Sequence, residues 1–199
     1  LTKMGSLCEE ALALAAKALA NADGQTAAKI APIDSEIDQM ERTIESLCLK
    51  LLLQQQPVAR DLRQISAALK MITDMERIGD QASDIAEIIG FLNGRIGTDA
   101  QYICQMAVAA MRMVTESVEA YVKRDVAMAE ATIQHDDVVD DLFLKVKESL
   151  IQMISENPKD GEYALDLLMI AKYFERIGDH ATNIAEWVVF SVTGVHEQG

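Results

Sequence analysis

The 199-residue chain carries a formal net charge of −14, is 50% hydrophobic, and contains only three prolines and ten glycines. So acidic a chain is a poor partner for nucleic-acid phosphates or anionic lipid and a fair one for cations. Three cysteines without CxxC spacing imply neither a disulfide framework nor a zinc ribbon and fit a reducing compartment, and no apolar run reaches the ~18 residues of a membrane span.

The hydrophobic periodicity is helical throughout. The first predicted helix covers 1–22, with Met4, Leu7, Cys8, Ala11, Leu14, Ala15 and Leu19 as its stripe, and Asn21-Ala22-Asp23-Gly24 ends it. The chain opens inside this pattern without a methionine. That reads as a shortened start, a disordered N-terminus or a domain cut from a longer chain. A second helix runs over about 25–55, with Pro32 marking a kink or an irregular start and with Ile30, Ile33, Ile37, Met40, Ile44, Leu47 and Leu51 as its stripe. After the turn Gln54–Pro57, a third helix covers 59–92. The segment Asn93–Thr98 breaks the chain, and Thr98 or Asp99 can cap a fourth helix that runs to about Val122. A fifth helix covers about 126–155 and a sixth about 162–192, with Asn157–Gly161 between them. Short connections make neighbours antiparallel. The fold class is therefore all-α, with six long helices in two tandem pseudo-symmetric three-helix bundles over 1–93 and 98–199.

One stretch occurs twice. Residues 76–87 read ERIGDQASDIAE and residues 175–186 read ERIGDHATNIAE, 99 residues apart with nine of twelve positions identical. A match of that length at half the chain length is an internal repeat. Each copy puts a glycine, Gly79 or Gly178, in mid-helix at a cost of about 1 kcal/mol relative to alanine. A close backbone approach or a crowded ligand site would explain it. Each copy also stacks two carboxylates four residues apart on one face: Glu76 with Asp80, and Glu175 with Asp179.

Hairpin geometry brings a second acidic pair to each copy. Residues equidistant from Pro57 share a height, so Asp38 lies level with Glu76 and Asp34 with Asp80. About the Asn157–Pro158 pivot, Asp140 mirrors Glu175 and Asp136 mirrors Asp179. Each half thus gathers four carboxylates, whose repulsion would raise their pKa values and which a multivalent cation would relieve. Carboxylates without cysteine suit hard metals: Mg, Ca, Mn or Fe. His135 and His180 flank the second cluster, as extra ligands or turned aside. Arg77 and Arg176 form ordinary ion pairs or contact an anion. Asp84 and its counterpart Asn183 are outer-shell candidates. An isolated DxxxD or ExxxD is usually a solvated acidic face; the duplication and the hairpin alignment are what favour a metal site here.

The duplicated ERIGD helix, with an acidic i,i+4 pair upstream in each half, resembles the PhoU family of phosphate-uptake regulators. The likeness extends over almost the whole chain, from Met4-Gly5-Ser6-Leu7-Cys8-Glu9 through Gln56–Arg63 to the end of the sixth helix. It implies a symmetric six-helix fold with multinuclear metal clusters on Asp34, Asp38, Glu76 and Asp80 and on Asp136, Asp140, Glu175 and Asp179. Iron comes first, with Mn, Mg, Ca or Zn as alternatives. It also implies a cytoplasmic homodimer, peripheral to the membrane through protein partners. Such a protein would regulate phosphate-starvation signalling negatively, between a phosphate ABC transporter and a sensor histidine kinase. The family domain also occurs as a cytoplasmic tail of sodium-phosphate cotransporters, so that reading stays open. An enzyme of the helical-bundle di-metal oxidase class is disfavoured, because such sites use Glu-x-x-His pairs and this chain has none. No glycine-rich phosphate loop is present.

Overall fold

A computed structural model describes residues 1–54, 57–92, 94–95 and 100–195. The helices among them are α1 (Thr2–Asn21), α2 (Gly24–Ala27), α3 (Ile30–Gln54), α4 (Ala59–Phe91), α5 (Gln101–Lys123), α6 (Val126–Gln134), α7 (Asp136–Glu156) and α8 (Gly161–Thr193), with a 3-10 turn at Pro158–Asp160. There is no strand among the described residues. Thr98 and Asp99, expected as caps, lie outside them; α5 is preceded by Ala100.

The six expected long helices are present, but two have a short lead-in. The second predicted helix divides into α2 and α3 at Ala28–Lys29. Pro32 has no N–H to bond the Ala28 carbonyl, so the helix restarts at Ile30 with proline in its first turn. The fifth divides into α6 and α7 at His135. There the His135 N–H is shared between the Ala131 and Thr132 carbonyls, and the Thr132 hydroxyl donates back to the Met128 carbonyl at 2.9 Å, a bond that bends helices.

The same turn opens both lead-ins. Ala22 and Arg124 adopt the left-handed conformation, with φ of 52° and 55°. The next residue, Asp23 or Asp125, bonds back through its N–H to the Ala18 or Ala120 carbonyl, as in a Schellman turn. Each aspartate side chain then caps the helix that follows, accepting from Gln25 N or Met128 N.

In the first half α1 and α4 cover α3; in the second α5 and α8 cover α6 and α7. α4 also packs along α8, and α1 lies against α5, so buried residues of both halves form one continuous core. Phe174, Ile78, Ile85, Met71 and Met75 lie at its centre, each less than 2% exposed. The Cys8 thiol donates to the Met75 carbonyl at 3.3 Å, tying α1 to α4, and burial pushes its pKa up to about 12. The stripe expected on the second helix is buried only at its start. Ile33, Met40 and Ile44 are half-buried, and Leu47 and Leu51 are exposed although their neighbour Cys48 is buried.

α1 approaches α5 closely because Gly5 carries no side chain. A Cβ there would lie 2.8 Å from both γ-methyls of Val118. Gly5→Ala is therefore expected to cost roughly 1–3 kcal/mol in chemical denaturation despite alanine's better helix propensity. Adding Val118→Ala should recover part of that loss, giving a favourable coupling in the double-mutant cycle.

Candidate metal centre

The acidic pairs meet where α3 crosses α4 and where α7 crosses α8. In the first half, Asp34, Asp38 and Asp80 each present a carboxylate oxygen such that all lie within 4.8 Å of one another. Glu76 stands beside them, close enough that Asp80 and Asp38 raise its pKa on top of the effect of burial. Asp34 is the most constrained member. Burial first, then Asp80 and Asp38, push its pKa to about 6, although the Ser83 hydroxyl hydrogen-bonds to it. One of its carboxylate oxygens, Oδ1, is buried without a hydrogen-bond partner.

That oxygen explains the mid-helix glycine. A Cβ on Gly79 would lie 2.8 Å from Asp34 Oδ1 and 3.0 Å from Ile37 Cδ1, and one on Gly178 would lie 3.1 Å from Asp136 Oδ1. Each glycine clears space for the leading aspartate of the opposing helix, so the reason is a crowded acidic site.

The second cluster repeats the layout with a different balance. Burial first, then Asp179 and Asp140, raise the Asp136 pKa to about 6; burial first, then Glu175, raises those of Asp140 and Asp179. The hairpin register is therefore correct: Asp34 faces Asp80, Asp136 faces Asp179 and Asp140 faces Glu175. Among the described residues, however, only the first-half trio converges within 4.8 Å. In the second half the Lys172 ammonium ion-pairs with Glu175.

Both histidines are engaged elsewhere through Nδ1. His135 pairs with Glu116 of α5 at 2.8 Å, and His180 with Asp74 of α4 at 2.9 Å. Arg77 is an ordinary ion-pair partner, 3.0 Å from Asp80 and 3.4 Å from Glu76. Arg176 instead lies 6.0 Å from the centre of the Tyr173 ring. Asp84 and Asn183 cross between the halves: Asp84 bonds to Tyr173 of α8, while Asn183 donates to Asp74 of α4 at 3.0 Å. The residues not anticipated are Ser83, Glu41, Lys172 and Phe143. Glu41 and Lys172 each sit three residues from a predicted ligand on the same helix, a spacing that could have revealed them.

The donor set fits a hard cation: carboxylates only, a buried oxygen lacking a partner, and a cradle kept open by glycine. A separate groove of about 880 Å³ between α5 and α7 is lined by Cys104, Val108, Arg112, Val138 and Lys145 among others, and by none of the eight candidate ligands. No described helix is long and apolar enough to cross a membrane.

The chain is thus an all-helical protein with an internal repeat that brings acidic side chains of neighbouring helices together in each half. The PhoU domain family model matches residues 1–89 and again 103–188. The chain belongs to the PhoU family. It is 37% identical over 196 residues to the phosphate-specific transport system accessory protein PhoU homolog of Clostridium acetobutylicum, covering 98% of this chain and 90% of that protein. The crystal structure of PhoU from Pseudomonas aeruginosa superposes with a TM-score of 0.94 at 34% identity, covering 97% of this chain and 93% of that one. The phosphate transport system regulatory protein PhoU from Streptococcus pneumoniae gives 0.89 at 25% identity, covering 99% and 93%.

A carboxyl whose folded-state pKa lies above its unfolded value gains protons on folding, so stability rises as pH falls through the folded value towards the unfolded one. Asp34 and Asp136, near 6 against the ordinary 3.8, place this window between about pH 7 and 4. The groups held low, Asp23, Asp160 and Glu116, act towards its acidic end and below. Metal-free protein should thus melt higher at pH 5 than at pH 7.5. About 0.5–1 kcal/mol per half-buried carboxylate after solvent screening corresponds to roughly 2–8 °C in all. Asp34→Asn with Asp136→Asn should raise the pH 7.5 melting temperature and flatten the profile. Calorimetry across pH checks this, and a melting temperature that falls from pH 7.5 to 5 would contradict it.

Proposed function

We propose that this chain is a metal-binding regulatory adaptor of phosphate uptake and phosphate-starvation signalling, and not an enzyme. The supporting relationship is to proteins described as accessory to, or regulators of, a phosphate transport system. The observation that carries the metal reading is Asp34 Oδ1, a buried carboxylate oxygen without a partner at the point where Asp38 and Asp80 converge. Asp34, Asp38, Glu76 and Asp80 would hold one cluster of hard metal, and Asp136, Asp140, Glu175 and Asp179 the other. Iron is the first choice, with Mn, Mg, Ca or Zn as alternatives.

A bound cation supplies positive charge between helices that otherwise repel. The protein's own residues then transmit the effect: α3 is held to α4 and α7 to α8, and α4 and α8 share one core. The adaptor acts as a homodimer on the cytoplasmic side of the membrane, recruited by a phosphate ABC transporter and a sensor histidine kinase. Its acidic surface favours recruitment by protein over anionic lipid.

Elemental analysis of protein purified without chelator or metal-affinity resin tests the metal reading. Several equivalents of iron or another hard metal are expected, about half being lost in Glu76→Ala/Asp80→Ala and half in Glu175→Ala/Asp179→Ala. Protein that arrives metal-free and also refuses added Fe, Mn, Mg, Ca and Zn would end it.

A further inference from the structure

The two clusters are not copies of each other. α3 corresponds to α7 at an offset of 102 residues, and α4 to α8 at 99. On that correspondence, Glu41 of the first half becomes Phe143 in the second, and Thr73 becomes Lys172. Glu41 stands among the first cluster's acids, close enough to feel the charge of Asp38 and to act on Glu76. Thr73 has no charge and hydrogen-bonds the Leu69 carbonyl of its own helix at 3.2 Å.

The second half replaces that acid and neutral hydroxyl with an aromatic ring and a cation. Lys172 Nζ stands 5.4 Å from the centre of the Phe143 ring, within cation–π reach, and ion-pairs with Glu175. Lys147 lies equally far from the same ring but pairs with none of the cluster's carboxylates. The field of Lys172 also favours the anionic forms of Asp140 and Asp179. The first cluster has a cation too, but it sits differently: Arg77 bonds along the solvent edge, and Asp34, Asp38 and Asp80 still converge. Its counterpart Arg176 lies over Tyr173.

We infer that Lys172, seated on Phe143, is a built-in counter-ion that a metal must displace from the second cluster, so the first cluster fills first and the second only at higher metal concentration. This rests on the reading of both clusters as metal sites. The flexible stem of Lys172, with its side chain 39% exposed, lets the ammonium withdraw to water once a divalent ion takes Glu175.

Mn²⁺ titration of the metal-stripped full chain, with free Mn²⁺ read by electron paramagnetic resonance, tests the inference. Two phases are expected. Asp34→Asn/Asp38→Asn should remove the tight one and Asp136→Asn/Asp140→Asn the weak one. Lys172→Thr should tighten the weak phase by about tenfold, the order expected for removing one nearby charge in a partly screened site. Lys172→Arg should leave it weak, and Thr73→Lys should weaken the tight phase instead. Equal affinity at the two clusters in the unsubstituted chain, or a weak phase unmoved by Lys172→Thr, would overturn the inference while leaving two metal sites standing. No Mn²⁺ uptake by any of these proteins would overturn the inference together with the metal reading beneath it.

Discussion

Like-charge repulsion between packed helices is the constraint on which the rest of the structure depends. Carboxylates from α3 and α4, and again from α7 and α8, are held half-buried where hydrophobic packing would otherwise close the crossing. The helices cannot separate, because Ile37 on α3 and Val139 on α7 are fully buried within one turn of those acids. The tension is eased locally. Ser83 hydrogen-bonds to Asp34, Arg77 bridges Glu76 and Asp80, and Lys172 pairs with Glu175. Gly79 and Gly178 give up helix propensity so that the leading aspartate can occupy the crossing at all.

Much of this was legible in the sequence because it follows from periodicity. Hydrophobic spacing placed the long helices, and counting from Pro57 and from the Asn157–Pro158 pivot matched Asp34 to Asp80 and Asp136 to Asp179. The glycine in each ERIGD copy signalled crowding before its neighbour was known. What was not legible depends on choices between local bonds or on which neighbour a side chain meets. Thr132 bends the helix at His135 through a bond that no hydrophobic pattern encodes. Leu47 and Leu51 continue a faultless apolar stripe, yet both are exposed while Cys48 between them is buried.

The histidines show the same limit at the site. His135 and His180 mirror each other about the turn as well as any pair of ligands does. Their direction is set by acids on other helices, Glu116 and Asp74, which lie outside the hairpin used for the alignment. Lys172 and Phe143 are hidden in the sequence for the opposite reason. A repeat draws attention to what is kept, and this pair lies where the two halves differ.

The contacts between α4 and α8 carry a consequence for how a duplicated chain keeps its halves in order. Position 74 reaches 183, and 173 reaches 84, so each half offers one residue of each kind to the other. Were two copies of the first half to pair in this geometry, Asp74 would meet Asp84 and two carboxylates would confront each other. The existing partners are instead an amide and an imidazole for Asp74 and a phenol for Asp84. The joint therefore discriminates in one direction: pairing of two first halves is penalised by that confrontation, while the existing pairing of unlike residues is not.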